Sequence, residues 1–158
     1  MKVELSISRK AECGLPRRFF TDVAGEALRL SFLSATDATV GIGVALLSGD
    51  EIRALNRTYR KKDRPTDVLS FPGFPKRAGI AASDGRVEIG DLVLDPSYIR
   101  LAAEEDGVSF ETEMAFIFSH GVFHLLGYRH GRKMFSMQEA VASTYGDASG
   151  IMKQTKNL

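Results

Sequence analysis

The sequence is poor in cysteine, tryptophan and histidine, and it contains no long hydrophobic run. Its 158 residues include one cysteine, Cys13, no tryptophan and three histidines. A single cysteine cannot form an internal disulfide framework, so we expect a reducing, cytoplasmic environment. No apolar run approaches the roughly 20 residues of a membrane-spanning helix. Residues 1–10 alternate polar and apolar side chains instead of forming the apolar core of a signal peptide, so we expect neither secretion nor membrane association.

Neither sign of charge is in excess. The chain has 21 Lys and Arg against 20 Asp and Glu, a net charge of +1. This balance excludes a histone-like basic protein, and any contact with nucleic acid must use a local basic patch. The length suits a single domain, which we place at residues 1–146 and expect to be followed by a polar tail, residues 147–158.

Hydrophobic periodicity predicts an α+β domain. Apolar residues at every second position predict strands at about residues 3–7, 38–47, 67–71 and 87–94. Apolar residues three or four apart predict helices at about residues 17–33, 97–105, 109–127 and 136–145. A capping box, Ser48 with Glu51, predicts a short helix before a basic loop, and residues 73–86 are predicted to be a loop. We therefore expect a roughly four-stranded mixed sheet with helices packed on it.

All three histidines, His120, His124 and His130, lie within eleven residues of each other. The first two are four residues apart on a predicted helix, so their rings project from one face about 6 Å apart along the axis. Gly127 can end that helix with a positive φ, which lets the chain return His130 to the same point. This spacing predicts a metal site on a helix of the C-terminal half.

Three histidine ligands leave one tetrahedral position open. Structural zinc sites usually close that position, whereas catalytic sites keep it for water or substrate. Imidazole ligands favour one Zn²⁺ ion over magnesium, although ligand type alone leaves copper, nickel and cobalt open. The spacing is shared with metzincin metalloproteases, in which a glutamate general base directly follows the first histidine. Gly121 occupies that position here, so a metalloprotease is retained only as an alternative.

Three sequence blocks together resemble the YbeY family of bacterial endoribonucleases and rRNA maturation factors. The first is the histidine segment, His-Gly-x-x-His-Leu-x-Gly-Tyr-x-His over residues 120–130. The second is Asn-Arg-x-Tyr-Arg-x-Lys-Asp-x-Pro-Thr-Asp-Val-Leu-Ser-Phe-Pro over residues 56–72, and the third is Gly-Asp-Leu-Val-Leu over residues 90–94. The blocks occur in the family's order and span about half of the chain. One departure is Arg129, where the family usually has an aspartate.

The resemblance implies one zinc ion held by His120, His124 and His130. It implies a single-strand-preferring endoribonuclease that acts in 16S rRNA 3′-end maturation and ribosome quality control, with Arg60 and His120 as the essential residues. Its implied partners are single-stranded RNA, the small ribosomal subunit and a ribosome-associated GTPase. A ribosome assembly factor with a mainly structural zinc is a further alternative.

The basic segment agrees with RNA as a substrate. Five cations fall within eight residues, and a tyrosine among them offers a stacking face to an unpaired base. These candidate RNA-binding residues are Arg57, Tyr59, Arg60, Lys61, Lys62 and Arg64. Arg60 can also stabilise charge on a phosphate through its planar guanidinium. Asp67 and Asp91 are candidates to orient a ligand histidine or to contact substrate, and Thr66 and Ser70 are expected in the cleft wall.

Overall fold

The computed structural model describes residues 1–81 and 85–151. The strands are β1 (Lys2–Arg9), β2 (Thr39–Leu46), β3 (Val68–Pro72) and β4 (Arg86–Leu94). They form one sheet in the order β1-β2-β4-β3. β1 pairs with β2 and β2 with β4 in parallel, whereas β3 is antiparallel to β4. The sheet is therefore mixed, and β3 lies at one of its edges.

Six helices accompany the sheet within the described residues. They are α1 (Arg17–Leu30), α2 (Gly49–Arg60), α3 (Arg77–Ala81), α4 (Pro96–Asp106), α5 (Phe110–Leu125) and α6 (Arg132–Ala142). The α+β class and the four-stranded mixed sheet expected from the sequence are confirmed. None of the helices in these two ranges is both long and apolar enough to cross a bilayer.

The alternation of side chains along β4 determines which helix covers each face of the sheet. Leu92 and Leu94 belong to the larger core, which includes residues of α1 and α5. Val93 points to the opposite face and packs in a smaller cluster with Ile52 of α2. Because α2 and α5 lie on opposite faces, the β3 edge is bordered by both helices. The functional residues of both sequence blocks therefore meet at that edge.

The central helix α5 is buried around most of its circumference. Its N-cap is Ser109, whose hydroxyl accepts a hydrogen bond from the Thr112 amide at 3.1 Å. Phe118 and Val122 are fully buried in the larger core, and Phe118 contacts Phe20 of α1 edge to face at 5.3 Å. This packing fixes the direction of every side chain that α5 projects toward the β3 edge.

Two local expectations were wrong. The basic loop itself forms as expected and begins one residue later, because α2 continues to Arg60. The Ser48 hydroxyl donates to the Glu51 carboxylate at 3.3 Å instead of capping the backbone, so the capping box does not form. The segment 73–86 contains the short helix α3, and its residues 82–84 lie outside the described residues.

The end of the described chain contributes to the core. Ala148 and Ile151 are buried and pack with Phe116 of α5, so the segment expected to be a polar tail starts with two packed side chains. Residues 152–158 lie outside the described residues, and the expectation for them stays a prediction. The domain boundary at residue 146 stays a prediction as well.

Candidate metal centre and substrate cleft

Two of the three histidines are presented by successive turns of α5. His120 and His124 are four residues apart on this helix, and both are partly buried. Their ring centroids are 4.4 Å apart in an edge-to-face arrangement. Since the opposite side of α5 is fixed in the core, both rings have little freedom to leave this face.

A tight turn after α5 brings the third histidine to the other two. Gly127 has a φ of +85°, in the left-handed region, and the Tyr128 amide donates back to the Phe123 carbonyl at 3.0 Å. The turn places the His130 ring 5.0 Å from that of His120 and 4.6 Å from that of His124. One nitrogen from each histidine lies within 4.8 Å of the other two. The predicted trio is therefore brought together.

Burial and mutual repulsion keep the helical histidines neutral. Burial, followed by the nearby charge of His124, lowers the pKa of His120 to about 4. Burial, followed by the charge of His130, also lowers the pKa of His124, and Arg60 contributes in the same direction. Neutral imidazole is the form that donates a lone pair to a metal ion, so the environment favours the ligating state at neutral pH.

The tautomer of His124 also suits a ligand. Its Nδ1 lies 3.2 Å from the Tyr128 carbonyl oxygen, which can only accept a hydrogen bond. Nδ1 must therefore carry the proton, and the Nε2 lone pair is left for a metal ion. Together with the spacing of the three rings, this donor set fits one metal ion bound by three histidines.

The histidines form one wall of a cavity of about 550 Å³ at the edge formed by β3. We call His120, His124 and His130 the histidine wall. The same cavity is lined by three basic side chains from the end of α2 and the following loop, Arg60, Lys62 and Arg64, which we call the cationic wall. Residues of β3 and its approach also line the cavity, and Thr66 and Ser70 are among them.

Arg60 is held in place by the edge strand. Its Nη2 donates to the Ser70 carbonyl oxygen at 2.7 Å, and its guanidinium is close enough to His124 to lower the pKa of that ring. The other N–H groups of the Arg60 guanidinium can bind an anion in the cavity. The structure thus brings Arg60 to the histidine wall, although the two lie 60 or more residues apart in sequence.

The loop of the cationic wall is fixed by a buried amide that the sequence analysis missed. Asn56 of α2 is only 3% exposed, and its Nδ2 donates to the Arg64 carbonyl oxygen at 2.9 Å. Lys61 closes α2 in the left-handed conformation, with a φ of +61°. In the sequence, Asn56 could have been identified only from its position in the block, residues 56–72, that resembles the YbeY family.

Three predicted RNA-binding residues lie outside the cavity lining. Arg57 and Lys61 are exposed, and Arg57 is 4.0 Å from the Asp63 carboxylate. Tyr59 is 62% exposed and contacts Phe71 edge to face at 5.2 Å. These residues lie on the same helix and loop as the cavity-lining cations, but they do not line the cavity themselves. Any contact that they make with RNA would therefore be outside it.

The two candidate aspartates have different surroundings. The carboxylate of Asp67 accepts hydrogen bonds from the Val68 amide at 2.7 Å and the Thr66 hydroxyl at 3.3 Å, and burial raises its pKa. It organises the approach to β3 and is not part of the cavity lining described above. Asp91 lies on the sheet face opposite α5, where its carboxylate covers Gly43 of β2. The structure therefore does not bring Asp91 to the histidines.

Arg129, the departure from the family pattern, is exposed between Tyr128 and His130. A buried side chain close to the histidine wall comes instead from α6. Gln138 is fully buried, and its contact with His120 acts to raise the pKa of that ring. Sequence analysis missed Gln138 because a single glutamine in an amphipathic helix is ordinarily a surface residue.

Comparisons with known proteins agree with this geometry. The model of the family described as Endoribonuclease YbeY matches residues 8–146. The Endoribonuclease YbeY of Halalkalibacterium halodurans is 38% identical over 130 residues, which cover 77% of this chain and 80% of that protein. The protein of the same name from Brevibacillus brevis is 40% identical over 116 residues, covering 65% and 73%.

A solved structure supports the fold. The solution structure of a Thermotoga maritima protein, TM1509, superposes with a TM-score of 0.57 at 24% sequence identity. The match covers 98% of this chain and 93% of the other. The family match includes the whole histidine segment and the whole basic segment, which the fold brings to one cavity. This chain belongs to the YbeY endoribonuclease family.

Proposed function

We propose that the protein is a zinc-dependent endoribonuclease that prefers single strands and acts in 16S rRNA 3′-end maturation and ribosome quality control. The observation that carries the proposal is one cavity lined by three converging imidazoles and three cations. Among the described lining residues none is acidic, so the cavity suits a polyanion. Family membership supplies the class of reaction.

The residues divide the work between the two walls. His120, His124 and His130 would hold the zinc ion, which supplies Lewis-acid chemistry to the reacting phosphodiester when bound. Arg60 is positioned by Ser70 to donate to the phosphate oxygens as negative charge builds on them. Lys62 and Arg64 would bind neighbouring phosphates of the same strand.

Single-strand preference is consistent with the surroundings of the cavity. Tyr59 exposes its ring beside the cationic wall and can stack on an unpaired base, as Arg57 and Lys61 attract the backbone. A duplex keeps its bases paired and offers no ring for such stacking. The proposed partners are therefore single-stranded RNA and, through it, the small ribosomal subunit.

The packing of Gly121 argues against the metalloprotease alternative. A Cβ atom at this position would lie 2.7 Å from Leu92 Cδ2 and 3.4 Å from Val68 Cγ2, because Gly121 faces the sheet. A glutamate general base at residue 121 would therefore meet the core instead of the cavity. The position that carries the proton acceptor in metzincins is unusable in this fold.

Cleavage of an unstructured RNA oligonucleotide tests the proposal. We expect cleavage by the zinc-loaded protein, loss of cleavage with a chelator, and recovery when zinc is restored. The same oligonucleotide annealed to its complement should be cut more slowly. The variant His124→Ala should lower both the zinc content and the cleavage rate, since one of three ligands is lost.

The matched control is Arg18→Ala, because Arg18 is an exposed cation on α1 outside the cavity lining. It should cleave at the wild-type rate. Undiminished cleavage after complete zinc removal would contradict the catalytic role of the metal. Accumulation of 16S rRNA with an extended 3′ end in cells that carry only His124→Ala would support the assignment to rRNA maturation, and normal ends would contradict it.

A further inference from the structure

The buried face of α6 contains one polar side chain in an otherwise apolar stripe. Gln138 is 0% exposed, and its neighbours on this face are Met134, Met137, Val141 and Ala142. The helix packs on α5, which carries two of the three histidines. An amide in this position is therefore enclosed between α6 and the helix of the metal centre.

Burying this amide is costly for the folded protein. Neither Oε1 nor Nε2 of Gln138 has a hydrogen bond of good geometry, although both atoms are buried. Leaving a buried polar group in this state lowers the stability of the folded protein, and an apolar residue of the same shape avoids the loss. A contribution to stability therefore does not explain the presence of Gln138. The explanation must come from the group that its amide faces.

That group is the imidazole of His120. The Gln138 side chain lies close enough to interact with the His120 ring, although neither of its polar atoms makes a hydrogen bond of good geometry. A neutral imidazole donates through one nitrogen and accepts through the other. If the amide oxygen of Gln138 receives the N–H, the second nitrogen of His120 carries the lone pair.

His124 has the same arrangement with a different acceptor. The Tyr128 carbonyl oxygen accepts from Nδ1 of His124 at 3.2 Å, which fixes the tautomer of that ring. Ligand histidines in metalloproteins are commonly backed in this way, and loss of the backing group lowers metal affinity. An acceptor behind His120 would give the second histidine of α5 the same support.

We propose that Gln138 is a positioning residue of the metal centre: its amide oxygen accepts a hydrogen bond from the ring N–H of His120 and presents the other ring nitrogen to the ion. This role depends on the proposed function in one respect, namely that the three histidines bind a metal.

Substitution by methionine tests the role, because Gln138→Met keeps the length and volume of the side chain but removes the acceptor. Zinc affinity, measured by competition with a chromophoric chelator, should fall by about 10- to 100-fold. Gln138→Glu retains an acceptor oxygen in either protonation state and should stay within about threefold of wild type. Met137→Leu, a volume-conserving change on the same helix, is the control and should bind zinc like wild type.

Thermal unfolding of the metal-free proteins separates positioning from a structural role. Because Gln138→Met removes an unpaired buried amide, its melting temperature without metal should equal or exceed that of wild type. Weaker zinc binding together with undiminished stability supports the proposal. Equal zinc affinity of Gln138→Met and wild type would overturn it, and so would a loss of affinity that merely follows a loss of stability.

The ring tautomer gives a readout that needs no metal. In ¹⁵N-labelled, metal-free protein near pH 7.5, His120 should show the nitrogen shifts of one tautomer in wild type and of a mixture in Gln138→Met. Identical tautomer populations in the two proteins would also overturn the proposal. If the wild-type chain bound no zinc, the proposed function would fail, and this measurement would still decide whether Gln138 orients His120.

Discussion

The histidine wall and the cationic wall face the same cavity but are supported in opposite ways. The histidine wall rests on α5, in which eleven of sixteen residues are buried. The cationic wall rests on the end of α2, in which Ile52 and Asn56 are the buried residues. A metal ion requires ligands at fixed distances, and dense packing supplies them. Cations that follow a polymer backbone can keep rotamer freedom, which an exposed loop preserves.

The difference predicts that the two walls respond differently to mutation. Damage to the buried wall should change metal binding and stability, whereas damage to the exposed wall should change rate or affinity for RNA with the fold intact. Arg60 is the informative exception, because it belongs to the cationic wall but is tethered to Ser70 of β3.

On the cationic wall, the largest effect should come from Arg60→Ala. Removal of the guanidinium should lower kcat about 100-fold, the typical loss when one transition-state donor is removed. Zinc content and melting temperature should match wild type, because the side chain holds no ligand histidine. Arg60→Lys should recover only part of the rate, since lysine keeps the charge but not the planar fork. If the substitution instead raised KM and left kcat unchanged, Arg60 would act only in binding phosphate, as proposed for Lys62 and Arg64.

The second prediction concerns Glu113, a buried carboxyl on α5, the helix that carries His120 and His124. Glu113 lies two turns before His120 on α5, and burial together with Asp106 of α4 and Asp67 raises its pKa to about 8. The folded state therefore keeps a proton that the unfolded chain releases above its ordinary pKa of 4.5. The resulting stability is complete below pH 4.5 and is lost as the pH rises through 8.

Glu113→Gln removes this dependence, because the amide stays neutral at every pH. Relative to wild type, the variant should gain about 1–3 kcal/mol between pH 5 and pH 9. Denaturant unfolding at the two pH values measures the gain. If the difference in the free energy of unfolding between variant and wild type were the same at both pH values, the raised pKa of Glu113 would be contradicted.

The third prediction probes the packing of the histidine wall against the sheet. Gly121→Ala places a methyl group 2.7 Å from Leu92 Cδ2, and Leu92 is fully buried and cannot move away freely. We expect a loss of about 1–3 kcal/mol in the free energy of unfolding. Gly25→Ala on α1 is the matched control, because no atom lies within 4 Å of its added Cβ. It should stabilise the helix by about 0.5–1 kcal/mol.

The smallest effect should come from Lys62→Ala on the exposed wall. Loss of one phosphate contact should weaken RNA binding a few-fold and reduce the salt slope of the association constant by about 1. The rate at saturating RNA should not change. Lys10→Ala, an exposed cation outside the cavity lining, should alter neither quantity. Binding isotherms at several salt concentrations provide the measurement.

Features with a local cause were predictable from the sequence. The spacing of His120 and His124 requires only a helix, and Gly127 supplies the left-handed turn that returns His130. The strand alternation likewise gave the four-stranded sheet. The sequence did not separate the roles of Arg57, Arg60 and Lys62 within the basic segment. Which of them line the cavity depends on how the end of α2 directs their side chains.

The features that sequence analysis missed depend on contacts between distant segments. Glu113 and Gln138 are polar residues in helical patterns and become unusual only because α4, α5 and α6 enclose them. Asp91 was a candidate because its block matches a family, but strand alternation next to buried Leu92 sends its side chain to the other face.

Tyr128 connects the metal centre with the first third of the chain. Its hydroxyl accepts a hydrogen bond from the Phe32 amide at 3.1 Å, across a separation of 96 residues, and the Arg77 guanidinium lies 4.2 Å from its ring centroid. Its carbonyl oxygen meanwhile orients His124. The trio can therefore reach its final arrangement only after the N-terminal segment has docked, so a C-terminal fragment carrying all three imidazoles should chelate zinc less tightly than the intact molecule.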